Sequence, residues 1–224
     1  MSDPYYQDEH VTLWHGDCRE LTEWLTADVL VTDPPYGMAY VSNSSKDGPS
    51  AAIGGDATTE ARDAVLHLWQ SWDPNGDLRP ALMFGTWRVE RPAGVRQLIV
   101  WDKGESPGMG DLAMPWGPAH EEIYVIGVGF TGKRRPNVYR VPTLAPSSVN
   151  RPNHPTPKPV PLMEQLVAYC PPGVIADPFA GSGTTLVATK NLGRRAVGVE
   201  LEERYCEVIA KRLAQDVLDF GEVS

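Results

Sequence analysis

Three cysteines in 224 residues, Cys18, Cys170 and Cys206, are too few and too scattered for a zinc site or a disulfide framework. None pairs in a CxxC spacing, and the count is odd. A reducing compartment suits such a chain. No apolar run is long enough to span a bilayer, and no basic-then-apolar leader opens the sequence. The expectation is a soluble, unprocessed, cytoplasmic protein without a membrane partner. Positive charge is also scarce: 20 Lys and Arg stand against 29 Asp and Glu, a net charge of −9 that by itself argues against a nucleic-acid partner. Acid, however, is missing from one stretch. Between Ile123 and Met163 there is no Asp or Glu, while Lys133, Arg134, Arg135, Arg140, Arg151 and Lys158 contribute +6 and leave −15 on the remainder. One basic segment on an acidic body is either a phosphate-contacting surface or a solvated loop. Apolar and charged fractions of 42% and 22% are ordinary for one domain with a full-sized core.

The stretch that organises the rest is Asp33-Pro34-Pro35-Tyr36, which follows Val29-Leu30-Val31 and precedes Gly37. A β-branched and aliphatic run that stops at two prolines reads as a buried strand ending there, because proline cannot donate to a sheet ladder. Asp33 then lies at a strand's carboxyl end, where open α/β sheets place their ligands. The Asp33 carboxylate and the Pro34 carbonyl are two acceptors beside the flat face of Tyr36. An exocyclic amino group on a nucleobase offers two N–H donors on a flat ring, which matches them. A plain Asp-Pro turn is the competing explanation for the tetrad.

Earlier in the chain, Val11 to Trp14 reads as a strand ending at His15-Gly16-Asp17, and Cys18 to Leu25 as a short helix. From Gly37 to Thr58 a Ser/Gly/Ala-rich connection is long enough to be a loop that orders on substrate. Thr58-Thr59-Glu60 caps a helix to about Trp72. Strands are expected at Ala81–Phe84, Leu98–Trp101 and Glu121–Val128, with a helical segment around Val89–Val95. Trp101 and Trp116, flanking a Gly/Pro-rich loop, are the tryptophans most open to a substrate role. His154-Pro155-Thr156-Pro157-Lys158-Pro159 is too proline-dense for helix or central strand, and Pro161 starts a helix ending near Tyr169.

A second motif answers the first. Val174-Ile175-Ala176-Asp177 reads as a strand, and Pro178-Phe179-Ala180-Gly181-Ser182-Gly183-Thr184-Thr185 as the turn opening a helix to about Leu192. Small residues at such a turn let backbone N–H groups approach a ligand. No lysine stands where a phosphate loop needs one, so a nucleoside triphosphate is a poor fit. The next strand, Ala196 to Val199, ends in Glu200, 23 residues after Asp177. That is near the spacing at which an acid meets ribose hydroxyls in a nucleotide-binding βαβ unit. An adenosyl cofactor is the better reading, with an amphipathic helix following over Leu201–Leu213.

Taken together, these residues resemble the amino-group DNA methyltransferases of the permuted group, in which the catalytic tetrad precedes the cofactor loop. The resemblance runs over nearly the whole chain. It implies an α/β fold, a Rossmann-like, mostly parallel sheet of seven strands with one antiparallel strand and circularly permuted order. It further implies one methyltransferase domain over 1–224, with a catalytic half 1–129, a short basic recognition segment 130–153 and a cofactor half 154–224. Asp33, Pro34, Pro35 and Tyr36 look like the catalytic tetrad. Asp17, Cys18, Lys158, Asp177, Pro178, Phe179, Ala180, Gly181, Ser182, Gly183, Thr184, Glu200 and Leu201 look like contacts to S-adenosyl-L-methionine. No metal is implied. DNA with a flipped target base is the implied partner, with Lys133, Arg134, Arg135, Arg140 and Arg151 as its phosphate contacts. A homodimer and a bacterial or phage-encoded restriction–modification setting are compatible with it.

The recognition segment is shorter than is usual in the family, which suggests a short or loosely defined site, or help from a second subunit. Adenine N6 is favoured over cytosine N4 by the Asp heading the tetrad. A catalytically silent DNA-binding or partner subunit is the alternative of another class. Methylation at cytosine carbon-5 would need a thiol nucleophile, and Cys170, before Pro171 at a helix end, reads as structural.

Overall fold

The computed structural model describes residues 3–37, 58–71, 78–104, 113–144, 152 and 157–215. Nine strands form a single sheet in the order β1-β2-β9-β8-β3-β4-β6-β5-β7. They are β1 (Tyr6–Gln7), β2 (Val11–His15), β3 (Val29–Thr32), β4 (Ala81–Gly85), β5 (Val95–Asp102), β6 (His120–Ile126), β7 (Val138–Arg140), β8 (Ile175–Asp177) and β9 (Ala196–Glu200). Nine strands replace the expected seven because two short edge pieces, β1 and β7, extend a seven-stranded centre. Two strands run against the rest: β1 at one edge, and β6 between β4 and β5. Parallel pairing of β2 with β9, β9 with β8, β8 with β3 and β3 with β4 brings the carboxyl ends of five strands to one edge.

Among the described residues, four helices cover the sheet: α1 (Glu60–Ser71), α2 (Val160–Val167), α3 (Thr184–Asn191) and α4 (Glu203–Gln215). The central strands are buried on both faces, as apolar runs such as Val29-Leu30-Val31 require. Leu162, Leu166, Leu186, Val187, Ile209 and Leu213 from α2, α3 and α4 pack with Val29, Val31 and Phe84. On the other face, Trp69 of α1 stacks on Trp24, their centroids 6.1 Å apart, over Leu30, Ala81 and Met83.

Several local expectations needed correction. Only Glu23–Thr26 is helical, as a single 3-10 turn, where a helix over Cys18–Leu25 was expected. No helix forms around Val89–Val95; Thr86 to Glu90 turns, and β5 begins at Val95. Pro92 falls in that stretch and offers no N–H to a helix. The basic segment contributes β7, whose Tyr139 is buried between exposed neighbours. The expected substrate loop after Gly37 lies outside the described residues. Among the described residues, no helix is long and apolar enough to cross a membrane.

Candidate active site

The carboxyl ends of β2, β9, β8, β3 and β4 carry the site. Asp33 follows β3 directly, and Pro34 behind it is buried. Both carboxylate oxygens of Asp33 are engaged: Tyr36 Oη donates to Oδ1 at 2.5 Å, and Lys158 Nζ donates to Oδ2 at 2.5 Å. Lys158, in the proline-rich turn before α2, is only 8% exposed. Its ammonium also lies 3.1 Å from Glu121 Oε2, and Lys103 Nζ lies 2.6 Å from Glu121 Oε1. Glu121 comes from the start of β6. Because β6 is antiparallel, its beginning lies beside the carboxyl ends of β4 and β5. The Phe84 ring at the end of β4 supports Lys158 from 4.9 Å.

Charges therefore alternate from Asp33 through Lys158 and Glu121 to Lys103 in a largely desolvated wall. Burial raises the Asp33 carboxyl above the ordinary carboxylate range, with Lys158 pulling it back and Glu121 adding to the rise. For Glu121, burial is outweighed by Lys158 and Lys103, which hold its carboxyl low. For Lys158, the two carboxylates outweigh burial and hold its ammonium charged.

The glycine turn lies alongside. Asp177 ends β8, and its Oδ1 accepts from Thr32 Oγ1 at 2.7 Å and from Phe179 N at 3.2 Å. Burial raises its carboxyl to about 6. Gly183, at φ 76°, forms the N-cap of α3 in the left-handed region that glycine tolerates. Ala180 N donates to Val199 O at 3.0 Å, tying the turn to β9. Glu200 ends β9; its Oε2 accepts from Gly181 N at 2.7 Å and its Oε1 from Glu202 N at 2.8 Å. Burial raises its carboxyl to about 7.

The structure thus brings Asp33, Pro34 and Tyr36 together with Asp177, the turn over 178–184 and Glu200. It gives other expected residues different neighbours. Lys158 sits against Asp33, its ammonium donating to that carboxylate. Asp177 spends its carboxylate on Thr32 and backbone, bracing β3 to β8. Cys18 is buried, and burial raises its thiol to about 12; its carbonyl accepts from Trp24 Nε1 at 2.9 Å. Asp17 is partly buried and pairs with Arg19, while Leu201 is exposed and its carbonyl meets His15. Ser182 and Thr184 are buried and share a 3.1 Å hydrogen bond. Trp101 is a core residue, edge-on to Phe84, with its indole N–H on Val141 O at 2.7 Å. Trp116 is 78% exposed, four residues before β6.

The basic residues divide. Arg140, at the end of β7, donates through Nε to Asp102 Oδ2 at 2.7 Å. Lys133, Arg134 and Arg135 precede β7 and so lie toward the opposite end of the strands, over a cleft of about 650 Å³ floored by Leu82, Ile99 and Val125. Arg135 lies 4.0 Å over the Tyr139 ring. Arg151 and His154 lie outside the described residues. Among the described residues, no cluster of His, Cys, Asp and Glu could hold a metal ion. Glu121 and Lys103 were not singled out as site residues. The signal was available: a carboxylate opening an antiparallel strand lands where its parallel neighbours end.

Comparison with known proteins agrees with this geometry. Residues 115–212 match the model of a DNA methylase family, N6_N4_Mtase. That stretch, somewhat under half of the chain, is similar to amino-group DNA methyltransferases of the N6-adenine/N4-cytosine type. Type II methyltransferase M.ScaI of Streptomyces caespitosus is 26% identical over 257 residues, covering 95% of this chain and 84% of that protein. Two solved structures share the fold. The M1.HpyAVI–SAM complex aligns with a TM-score of 0.66 at 23% identity, over 91% of this chain and 98% of the other. PvuII DNA methyltransferase, cytosine-N4-specific, aligns at 0.64 and 14% identity, over 99% and 91%.

Proposed function

We propose that the protein transfers a methyl group from S-adenosyl-L-methionine to the exocyclic amino group of a DNA base swung out of the duplex, with adenine N6 favoured. The observation that carries this reading is the joining of the two strand ends: Asp33 directly follows Thr32, whose hydroxyl is bonded to Asp177 at the head of the glycine turn.

The residues of the turn fit an adenosyl cofactor. Each Glu200 oxygen accepts one backbone N–H and keeps a lone pair for a ribose hydroxyl. Phe179 offers a partly buried ring beside it. Bound there, the cofactor would supply an electrophilic methyl on a sulfonium, its C–S bond breaking to leave S-adenosyl-L-homocysteine while the methylated nitrogen gives up one proton. Glu200, Phe179 and the backbone at Gly181 would hold it, and Thr32 with Asp177 fixes the turn relative to the acceptor pocket.

On the acceptor side the obstacle is a nitrogen lone pair delocalised into the ring. Asp33 and the Pro34 carbonyl accept the two amino hydrogens, favour a tetrahedral nitrogen and offset the positive charge that develops there. Tyr36 stacks on the base, an interaction worth about 1–3 kcal/mol in single-strand binders. Holding nitrogen and methyl in line supplies on the order of 7–11 kcal/mol of the barrier reduction. The amino group is inaccessible within the duplex, so the base must leave the stack. The single domain over 1–224 would then divide into an acceptor half, a basic segment for DNA and a donor half.

Cytosine N4 is the second reading, favoured by the shared fold with the cytosine-N4-specific PvuII enzyme. Treating duplex DNA with the protein and cofactor, then digesting it to nucleosides for mass spectrometry, separates the two. N6-methyl-2′-deoxyadenosine supports the proposal, N4-methyl-2′-deoxycytidine moves the target, and unmodified DNA favours a silent module.

A further inference from the structure

We infer that Lys158 and Glu121 are positioning residues for the Asp33 carboxylate: Lys158 pairs with it and transfers that hydrogen bond to Glu121 as the base arrives, freeing Asp33 for the incoming amino group. This rests on the amino-methyltransferase reading for its purpose, but not for its test.

The starting point is a conflict in the pocket. A carboxylate meant to accept an amino hydrogen needs an exposed lone pair in the right direction. Here Tyr36 and Lys158 cover both oxygens of Asp33. Simply withdrawing Lys158 would strand a buried ammonium, which is costly without a partner. Glu121 removes that difficulty. Its Oε2 is buried, lies 3.1 Å from Lys158 Nζ, and makes no aligned hydrogen bond. A small displacement of the ammonium completes that bond and uncovers Asp33 Oδ2. Lys103 on the far oxygen of Glu121 keeps the acceptor anchored and charged while this happens.

The groups facing Asp33 come from each packed element. Tyr36 lies on its own turn, Lys158 before α2, and Glu121 on β6 with Lys103 behind it. Asp177 approaches from β8, and Tyr124 of β6 lies near Tyr36. Lys158 is the cation in direct contact, and Glu121 is the anion across it. Removing either therefore moves the ionisation of Asp33 in opposite directions. A role for Lys158 in packing alone, or in holding the cofactor, gives no such opposition.

The test is a carbon-13 carboxyl titration of the full chain, with the Asp33 signal assigned by its loss in Asp33→Asn. Lys158→Met raises the Asp33 midpoint by about 1–3 pH units, the usual effect of one adjacent opposite charge. Glu121→Gln lowers it, and Lys158→Arg leaves it near wild type. Shifts in the same direction, or no shift in either variant, overturn the inference whether or not the protein methylates DNA. In the methyl-transfer assay, Lys158→Met loses at least tenfold in kcat at neutral pH and recovers part of it in alkali, with cofactor affinity unchanged. Loss of cofactor affinity without a displaced acid limb also overturns it. Absence of methylation by the wild type overturns the functional reading and leaves the titration to decide this one.

Discussion

The Thr32 hydroxyl donates a 2.7 Å hydrogen bond to Asp177 Oδ1, joining residues 145 positions apart at the carboxyl ends of two adjacent parallel strands. One of these strands leads into Asp33, the other into the glycine turn. The two strand ends are thus fixed to one another by a buried contact.

Thr32→Val keeps the shape and removes the donor. It leaves a buried carboxylate short of one partner, which costs about 1–3 kcal/mol. Denaturant melts should show that loss, and kcat should fall more than cofactor affinity.

Gly183→Ala strains the turn twice. The backbone is left-handed there, and an added Cβ would come within 2.8 Å of Ile209. We expect a loss of about 1–3 kcal/mol in stability and weaker cofactor binding, measured by thermal melts and calorimetry.

Glu200 makes both stability and cofactor binding depend on pH. Burial raises its carboxyl to about 7 from an ordinary value of 4.5, so the folded state holds the proton more tightly than the unfolded chain. Its contribution to stability is full below the unfolded value and is lost as pH rises through the folded one, by roughly 1–3 kcal/mol. With ribose hydroxyls donating to the ionised form, as proposed, cofactor affinity should move the other way and strengthen as pH rises toward about 7. Glu200→Gln should flatten both trends in melts and calorimetry between pH 5 and about 8.

Trp116 is exposed and carries none of the core packing of Trp101. Trp116→Ala should leave the melting temperature unchanged and weaken DNA binding by about 1–3 kcal/mol if the ring stacks on a base. Fluorescence anisotropy with a labelled duplex measures it.

Much of the architecture was legible because the strands are short apolar runs closed by Pro, Gly or acid. Val29 to Thr32, Ala81 to Gly85 and Ala196 to Glu200 fall where their composition puts them. The tetrad and glycine turn were legible for the same reason: each breaks a strand with residues a sheet cannot use. What escaped depends on pairing across the fold. The edge strand β7 has three residues and no apolar run, so only its partner β5 makes it a strand. Lys158 was expected at the cofactor from the family resemblance of its proline-rich segment. Its actual neighbours, Asp33 and Glu121, come from strands that sequence spacing alone could not bring beside it.

The most direct test of the central claim is methyl transfer by wild type and Asp33→Ala, using labelled S-adenosyl-L-methionine and duplex DNA, with cofactor affinity measured on both. Wild type should place label on an exocyclic amino nitrogen of a DNA base, while Asp33→Ala binds cofactor as tightly and transfers nothing. Label absent from DNA with the wild type, or undiminished transfer by the variant, would contradict it.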